Sequence, residues 1–410
     1  MTVSLSDEKF DKLYQLAQRI LELENVSIRL VASLMGIMVS FCPGIEYGQL
    51  YYRQIEIEKT IALKRARGDF DKNMILSHKA KNDIKWWLAH AKNSKRKISH
   101  GNATIILYTD ASNQGWGATT SQENTGGRWS PEEQLMHINT SELLAIQFGL
   151  QSFFNDCRHS HIKVFTDNTT AVSYLRNMGG SHSTLCNDIS WEIWLWCKVR
   201  DLWLTVAHIP GSENTIADKA SRIFNDASEW QLDKTCFDNL AKMFGYPDID
   251  MFSSRLNFQV KCYVFWEPDP NAYAVDAFTL DWGEYFSYMF PPFRVIPQVL
   301  QKIEEEQAKV FLIVPQWETQ AWYPKLARML VAKPVLLPQS SNIVNLPFNP
   351  AKKHPLWKKL RLMGCLLSGN PWQTKAFRTE LKKSCLTHGD QVQESSTTFI
   401  SGSGTSLQVD

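Results

Sequence analysis

The chain has 410 residues, of which 44% are apolar and 21% are charged. These proportions are typical of globular protein and exclude bulk disorder, and the length predicts two or three domains. No apolar run reaches membrane-spanning length, and the first residues, MTVSLSDEKF, lack the features of a signal peptide. The eight cysteines form no CxxC pair and no zinc-like spacing with histidine. We therefore expect a reduced intracellular protein, cytoplasmic or nuclear, with no membrane partner.

The net charge of +2 is unevenly distributed along the chain. Residues 59–97 contain 12 Lys or Arg and three Asp, and residues 352–383 contain nine Lys or Arg and one Glu. The remainder of the chain must therefore be acidic. Two basic segments beside acidic domains would suit an enzyme that binds phosphates and has a carboxylate site, although solvated helix faces are the alternative interpretation.

Residues 1–100 are predicted to be helical, because apolar residues recur at helical spacing. The recurring residues are Phe10, Leu13, Leu16, Ile20, Ile28, Val31, Leu34 and Met35. Pro43-Gly44 interrupts this pattern, and two further helices are predicted over residues 56–67 and 77–91. No residues here have catalytic spacing, so we interpret the segment as a small helical module.

A carboxylate follows the next predicted element, a buried strand. Residues 104–108 are β-branched or apolar, and a second apolar run begins at Gly115 after a short turn. This pattern predicts a hairpin with Asp110 at the end of its first strand. Burying that carboxylate is costly unless a cation shares the site. A third short strand is predicted at Arg128-Trp129-Ser130.

Two more acidic residues stand at predicted element ends. A helix opens at Ile138, with Asn139 as its N-cap and Glu142 at the third helical position. A strand over residues 161–167 then ends in Asp167 and leads into a helix that Gly179-Gly180 closes. Each residue taken alone is more often explained as a helix cap.

The last elements of this region are a helix over residues 183–200 and a strand over residues 202–207. The helix is predicted to bury Leu185, Ile189, Ile193 and Trp196. The strand runs into His208 and a polar loop, followed by a helix that contains Asp218. A histidine in such a loop is otherwise structural or merely exposed. The order β-β-β-α-β-α-α-β-α, with an acid at four element ends, predicts that the four carboxylates converge.

Four motifs carry a resemblance to ribonuclease H of the kind fused to retroelement reverse transcriptases. They are YTDAS (108–112), NTSELLA (139–145), VFTDN (164–168) and HIPGSENTIADKASR (208–222). The resemblance implies an α/β fold with an RNase H-like mixed five-stranded sheet. It also implies hydrolysis of the RNA strand of an RNA–DNA hybrid, with His208 assisting product release. The implied metal-binding carboxylates are those of Asp110, Glu142, Asp167 and Asp218.

Four carboxylates can hold two Mg²⁺ ions about 4 Å apart, one activating water and one stabilising the leaving oxygen. Mn²⁺ is an expected substitute. Ser112, Asn113 and Gln114, just after Asp110, are candidate contacts to the 2′-hydroxyls of the RNA strand. Asn214 is a candidate for orienting His208 or contacting the substrate, with a turn residue as the equal alternative.

Residues outside these motifs suggest the kind of retroelement. Residues 28–56 and the Trp86-Trp87 helix resemble the thumb and connection of DIRS-like elements. No Y-x-D-D motif is present, so we expect no polymerase activity and interpret the chain as a C-terminal fragment. The missing reverse transcriptase and recombinase parts would then be partners. A catalytically inactive nucleic-acid-binding relic is the alternative function.

A second α/β domain is predicted from alternating strands and helices after residue 225. A strand, Phe290-Pro291-Pro292-Phe293, a helix to Gln307 and a strand over residues 310–315 are similar to the adenine-N6 methyltransferase arrangement. That family has a polar residue where this chain has Phe290, and no Gly-rich cofactor loop is present. We therefore expect a methyltransferase-like fold without activity, with an active adenine-N6 DNA methyltransferase as a third alternative function.

These patterns predict five segments. They are a helical thumb/connection-like segment (1–100), an RNase H-like domain (101–224), a degenerate methyltransferase-like domain (225–345), a basic linker (346–387) and a disordered tail (388–410).

Overall fold

The computed structural model describes residues 1–226 and 229–387, with side chains described as far as residue 381. The predicted disordered tail, 388–410, lies outside the described residues. The chain divides into two compact units. Unit 1 contains residues 1–127, 136–150 and 154–222, and unit 2 contains residues 128–135, 151–153 and those from 223 onward. Within the described part of the chain, no helix is both long enough and apolar enough to cross a bilayer.

Unit 1 begins with four helices, which confirms the helical prediction for residues 1–100. They are α1 (Asp7–Glu22), α2 (Ile28–Phe41), α3 (Arg53–Arg65) and α4 (His78–His90). Short 3₁₀ turns at Cys42–Gly44 and Gly48–Tyr51 connect α2 to α3. The apolar stripes meet in one core that includes Leu13, Ile20, Val31, Leu34 and Trp87. Two-residue strands pair Thr2–Val3 with Arg96–Lys97 and Val26–Ser27 with Asn73–Met74.

The rest of unit 1 is built on a five-stranded sheet. Its strands are β1 (Ile105–Ala111), β2 (Gly115–Thr119), β3 (Asn124–Arg128), β4 (His161–Thr166) and β5 (Trp203–His208). Their spatial order is β3-β2-β1-β4-β5. β1 is antiparallel to β2 and parallel to β4, and β4 is parallel to β5. The predicted mixed five-stranded sheet is thereby confirmed.

The helices on this sheet are α5 (Ile138–Phe153), α6 (Thr169–Arg176), α7 (Thr184–Val199) and α8 (Thr215–Ala220). The predicted buried stripe of α7 is wrong at Leu185, which is exposed. The buried face passes instead through Cys186, Ile189, Ile193 and Cys197. The observed face keeps Ile189 and Ile193 and differs by one residue at each end, where Cys186 and Cys197 replace Leu185 and Trp196.

The predicted third strand, Arg128-Trp129-Ser130, is also wrong, because the strand ends at Arg128. The observed strand contains Gly126-Gly127, a composition that disfavours strands in sequence reasoning. Glycine is required at 126 because a Cβ there would lie 2.5 Å from the carbonyl oxygen of Ala220. Helix α8 therefore packs directly on the backbone of the sheet.

Unit 2 contains a second five-stranded sheet, flanked by helices. The strands are β6 (Ile249–Asp250), β7 (Phe286–Met289), β8 (Lys309–Pro315), β9 (Val335–Leu336) and β10 (Leu362–Ser368), in the order β6-β7-β8-β10-β9. The helices are α9 (Lys234–Phe244), α10 (Ile296–Glu305), α11 (Tyr323–Met329) and α12 (Pro371–Thr387). Two-residue strands pair Gln231–Leu232 with Val344–Asn345 and Val264–Phe265 with Ala274–Val275. Short 3₁₀ turns lie at Glu133–Leu135, Ala277–Thr279, Trp282–Glu284 and Phe293–Val295.

β10 contradicts the prediction of a linker over residues 346–387. All seven residues of this strand are buried, and it is antiparallel to both β8 and β9. The basic residues on either side of Leu362–Ser368 dominated the composition and concealed a short apolar strand. The segment is therefore part of the core of unit 2.

Candidate metal centre

Two aspartates meet at one edge of the first sheet because their strands are parallel and adjacent. The register pairs Ile105 with Ile162 and Tyr108 with Phe165, so two residues further Asp110 stands opposite Asp167. Asp110 is still within β1, and Asp167 directly follows β4. The convergence predicted from the two strand ends is confirmed for this pair.

Glu142 joins them from helix α5. One carboxylate oxygen from each of Asp110, Glu142 and Asp167 lies within 4.8 Å of the other two. We refer to these three residues as the acidic triad. No other group of this kind occurs within residues 1–226 and 229–387. The ligand atoms are all carboxylate oxygens, the donor type that Mg²⁺ prefers.

The sequence-based N-cap of α5 is wrong, and the correction explains why Glu142 faces the sheet. The cap is His137, whose Nδ1 accepts a hydrogen bond from the backbone N–H of Asn139 at 3.1 Å. Glu142 therefore lies in the second helical turn and does not cap the helix. Its side chain is buried, and Thr166 Oγ1 donates a hydrogen bond to its Oε2 at 3.2 Å.

The electrostatics of the triad favour a cation. Burial raises the pKa of Glu142 to about 8, and the neighbouring carboxylates of Asp110 and Asp167 add to the rise. Burial also raises the pKa of Asp110, and the carboxylates of Asp167 and Asp218 oppose its ionisation further. Buried like charges at this spacing cannot all ionise at low cost unless a positive charge joins them. The residues present therefore fit a divalent metal ion.

Asp167 is not the cap of the following helix, which was its alternative explanation. Asn168 caps α6, with its Oδ1 accepting from the backbone N–H of Ala171 at 2.9 Å. The Asn168 amide also donates to Asn139 Oδ1 at 3.0 Å, which ties the start of α6 to α5. Asp167 is thus left available at the sheet edge.

Asp218, the predicted fourth ligand, is near the triad but outside it. Its carboxylate pairs with Arg222, with the closest nitrogen–oxygen distance 2.6 Å, and both side chains are partly exposed. The influence of Asp218 on the pKa of Asp110 shows that the two carboxylates are electrostatic neighbours. Helix α8 carries Asp218, and its position depends on Gly117 of β2, where a Cβ would lie 2.2 Å from the carbonyl oxygen of Ala217.

His208 and Asn214 occupy different environments on the loop before α8. His208 is exposed at the end of β5 and pairs in register with Thr166, the residue before Asp167. Asn214 is buried, and its amide donates to the carbonyl oxygen of Thr109 at 2.9 Å. The amide of Asn214 therefore fastens the loop to β1, next to Asp110.

The three candidate substrate contacts after β1 differ in their exposure to solvent. Ser112 is buried, and its hydroxyl donates to the carbonyl oxygen of Ser221 at 2.6 Å while accepting from the N–H of Gln114. This contradicts its predicted role as a substrate donor, since it holds the turn against the end of α8. Asn113 and Gln114 are exposed on the turn.

Sequence reasoning missed two residues at this site, Ser221 and Arg222. Ser221 Oγ donates to Asp110 Oδ2 at 2.7 Å, and Arg222 pairs with Asp218. Both are the final residues of the segment HIPGSENTIADKASR. The four-residue spacing of Asp218 and Arg222 on a helix was the available signal.

Comparisons with known proteins agree with this location. Residues 101–188 match the family model of the RNase H-like domain found in reverse transcriptase. The enzymatic polyproteins of cauliflower mosaic virus strains D/H and Strasbourg are each 31% identical over 134 residues. This alignment covers 30% of the chain and 19% of each polyprotein, so the chain spans about a fifth of the curated relatives it matches.

Solved structures with similarity to the chain include LC11-RNase H1 in complex with an RNA/DNA hybrid. That similarity has 19% identity and a TM-score of 0.25, covering 28% of this chain and 93% of the other. A foamy viral protease-reverse transcriptase in complex with an RNA/DNA hybrid is 11% identical, with a TM-score of 0.20. The similarity covers 54% of this chain and 28% of that one.

Proposed function

We propose that unit 1 is a ribonuclease H that hydrolyses the RNA strand of RNA–DNA hybrids with two Mg²⁺ ions. The observation that carries this proposal is the acidic triad, which lies within the residues that match the RNase H-like family model. The family match and the three clustered carboxylates both support a nuclease kind of activity. The choice of Mg²⁺ rests on the oxygen-only donor set.

Asp110, Glu142 and Asp167 would hold the metal, and Asp218 would join as a fourth ligand after leaving Arg222. Bound divalent ions would activate a water molecule and stabilise the leaving 3′ oxygen. Because carboxylates must be ionised to bind metal, Glu142 would release its proton on loading. Thr166 would then hold the Glu142 carboxylate in place through its existing hydrogen bond.

The exposed residues around the triad would contact substrate and product. Asn113 and Gln114 lie on the turn directly after β1, where their amides can reach the 2′-hydroxyls of an RNA strand. His208 stands exposed beside the strand that leads to Asp167, so its imidazole can protonate or displace a product phosphate. The amide oxygen of buried Asn214 has no hydrogen-bond partner among the described residues, which leaves it able to accept from a group at this edge.

Cleavage of a labelled RNA–DNA hybrid by the purified chain tests the proposal. We expect cleavage that requires Mg²⁺, is supported by Mn²⁺ and is stopped by chelation. Asp110→Asn should lower the rate at least about 1,000-fold, since it removes the negative charge of one carboxylate of the acidic triad that would hold the metal. The matched control is Asp11→Asn, a change at an exposed aspartate of α1.

Two results would contradict the proposal. Retained cleavage in Asp110→Asn would show that the triad does not take part in the reaction. Hybrid binding by the wild-type chain without Mg²⁺-dependent cleavage would instead favour the inactive nucleic-acid-binding relic. The complete set of four acidic residues favours the enzyme over the relic.

We further propose that the chain is a C-terminal piece of a DIRS-like polyprotein, located inside the cell, with the missing reverse transcriptase and recombinase parts as partners. The similarity to viral polyproteins supports a polyprotein origin. Residues 1–100 would be the thumb and connection remnant. Pull-down with the polymerase part of a full-length element, and cell fractionation, would test the partners and the location.

Unit 2 is proposed to be a methyltransferase-like domain without activity. The order β7, Phe290-Pro291-Pro292, α10, β8 supports the resemblance, and β7 and β8 are parallel as that arrangement requires. Phe290 packs near Phe293, with ring centroids 6.4 Å apart, and offers no polar atom to an adenine amino group. Calorimetric titration with S-adenosylmethionine should show no binding, and measurable binding would favour the active methyltransferase.

A further inference from the structure

Unit 1 contains a cavity that is lined by none of the triad residues. A cavity of about 440 Å³ opens between the 3₁₀ turn Gly48–Tyr51, α3, α4 and α7. Its lining includes Tyr51, Gln54, Asp83, Trp86, Asn187 and Trp191. This size is within the range of small-ligand pockets, which run from roughly 300 to 1,000 Å³.

The aromatic side chains of the cavity have different roles. Trp86 is stacked on Tyr51, with ring centroids 3.7 Å apart, and on His90 at 4.5 Å, and the Lys198 ammonium lies 5.3 Å from its ring centroid. Both faces of Trp86 are therefore covered, and it forms a rigid wall. Trp191 is half-buried on α7, and none of the described rings stacks on it. Its ring is available as a platform for a planar ligand.

Asp83 supplies a carboxylate that lacks a donor. Its side chain is half-buried at the cavity, and among the described residues none donates a hydrogen bond to it. The positive charge of Lys79 favours ionisation of Asp83, but its ammonium pairs with Asp188 at 2.9 Å. Glu58 adds a repulsive charge. A ligand that donates hydrogen bonds to this carboxylate would satisfy a costly buried acceptor.

We propose that this cavity binds an unpaired guanine base, stacked on Trp191 and hydrogen-bonded to Asp83. Guanine presents two adjacent donors, N1–H and the N2 amino group, which match the two oxygens of one carboxylate. Adenine and cytosine each place an acceptor beside their amino group, and uracil has acceptors on both sides of N3–H. A carboxylate repels those acceptors, so the site selects guanine. The amides of Asn82 and Asn187 line the same cavity and can donate to the guanine O6.

The surroundings of the cavity suit the phosphate of a nucleotide. His78 and Lys79 lie at its exposed rim, and they belong to the basic stretch 59–97. The guanine can come from a free nucleotide or from an unpaired nucleotide of a strand. This inference does not depend on nuclease activity, because it uses no residue of the triad.

Calorimetric titration of the full chain with GMP, AMP, CMP and UMP tests the inference. We expect GMP to bind at least about 10-fold more tightly than the other three, the discrimination typical of one bidentate base contact. Asp83→Asn should weaken GMP binding by about 10-fold or more, and Asp11→Asn should leave it unchanged. Trp191→Leu should weaken binding of every nucleotide by about 10-fold, because it removes the stacking platform.

Fluorescence anisotropy with single-stranded oligonucleotides that end in G or in A distinguishes a free guanine nucleotide from a guanine at the end of a strand. A G preference that appears only with strands, and that Asp83→Asn abolishes, assigns the site to strand ends. Equal affinity for all four nucleotides and both strands, or unchanged GMP binding in a folded Asp83→Asn variant, would overturn the inference. The inference would also be overturned if neither GMP nor the G-ended strand binds while an arginine-containing peptide binds and Asp83→Asn abolishes that binding. Circular dichroism of each variant establishes that it is folded.

Discussion

The hydroxyl of Ser221 lies 2.7 Å from Asp110 Oδ2 and 2.8 Å from the carbonyl oxygen of Asp218. A hydroxyl has a single hydrogen, so it can satisfy only one of these acceptors fully at a time. Ser221 thereby couples a buried carboxylate of the triad to the end of α8. If a metal ion bound Asp110, as proposed, the hydroxyl could donate to the carbonyl oxygen of Asp218 instead.

Ser221→Ala removes the donor from Asp110 while leaving the triad itself intact. Without it the buried carboxylate loses a charge-assisted hydrogen bond, so the metal-free chain should lose about 1–3 kcal/mol of unfolding free energy. Chemical denaturation of unit 1 with and without Mg²⁺ measures this. Ser212→Ala, at an exposed serine of the loop before α8, is the control. Equal losses in both variants would show that the Ser221 contact to Asp110 has no special role.

Arg222→Ala should free Asp218 for the metal. The pair is solvent-exposed, with 59% and 42% of the two side chains accessible, so its loss should change stability by less than about 1 kcal/mol. If Asp218 must leave Arg222 to become a ligand, the variant should bind Mg²⁺ several-fold more tightly in calorimetric titration. Lys219→Ala, which removes an exposed positive charge on α8, is the control for the change in net charge. An unchanged or weaker Mg²⁺ affinity in Arg222→Ala would argue against Asp218 as a ligand.

Gly117→Ala should displace α8 from the sheet. The new Cβ would lie 2.2 Å from the carbonyl oxygen of Ala217 and 2.6 Å from the backbone nitrogen of Ser221, and neither backbone atom can move alone. We expect a loss of about 1–3 kcal/mol in unfolding free energy, together with reduced cleavage because Asp218 and Ser221 move away.

Gly36→Ala is the matched control for that change. Gly36 is exposed within α2, and nothing lies within 4 Å of a Cβ built there. Alanine should stabilise the helix by up to about 1 kcal/mol. Thermal unfolding of both variants separates steric conflict from a general effect of replacing glycine. A Gly117→Ala variant as stable as the wild type would contradict the observed packing of α8.

Asp83→Asn should change how stability depends on pH. Burial raises the pKa of Asp83 to about 7, above the ordinary value of 3.8, so the folded chain holds this proton more tightly than the unfolded chain. The wild type therefore loses stability as pH rises from about 4 to about 7, and the full cost remains above pH 7. The variant should gain on the order of 2 kcal/mol at pH 8 and little at pH 4. Urea unfolding at both pH values measures the difference in unfolding free energy between the variant and the wild type. A gain that does not depend on pH would show that it does not come from ionisation of Asp83.

Strand-end carboxylates were predictable because they depend on local patterns. Asp110 and Asp167 each follow a short apolar run, and parallel pairing of β1 with β4 brings them together. Glu142 was predicted to belong to the site because of its sequence motif. Its predicted position in the helix was wrong, because the N-cap is His137 and not Asn139. Histidine is not among the preferred N-cap residues, so the nearby asparagine was predicted to be the cap instead.

The contact of Ser221 with Asp110 could not be predicted from spacing, whereas the local pair of Arg222 with Asp218 could. The Ser221 contact depends on the approach of α8 to the backbone of β2 and β3, which glycines at 117 and 126 permit. Such an approach joins residues about 100 positions apart, as the Ser112 to Ser221 hydrogen bond also does. β10 was missed for a different reason, because composition was averaged over a segment much longer than the strand.

β10 has a consequence for how unit 2 is assembled during synthesis. This strand lies between β8 and β9, so until residue 368 has left the ribosome β9 has no partner in the sheet, and β8 is paired only with β7 and has one open edge. Until then the unit presents unpaired apolar strand edges, a template for association with other chains. A product that stops before Leu362 would keep those edges permanently and should be recovered as aggregates, whatever the state of unit 1.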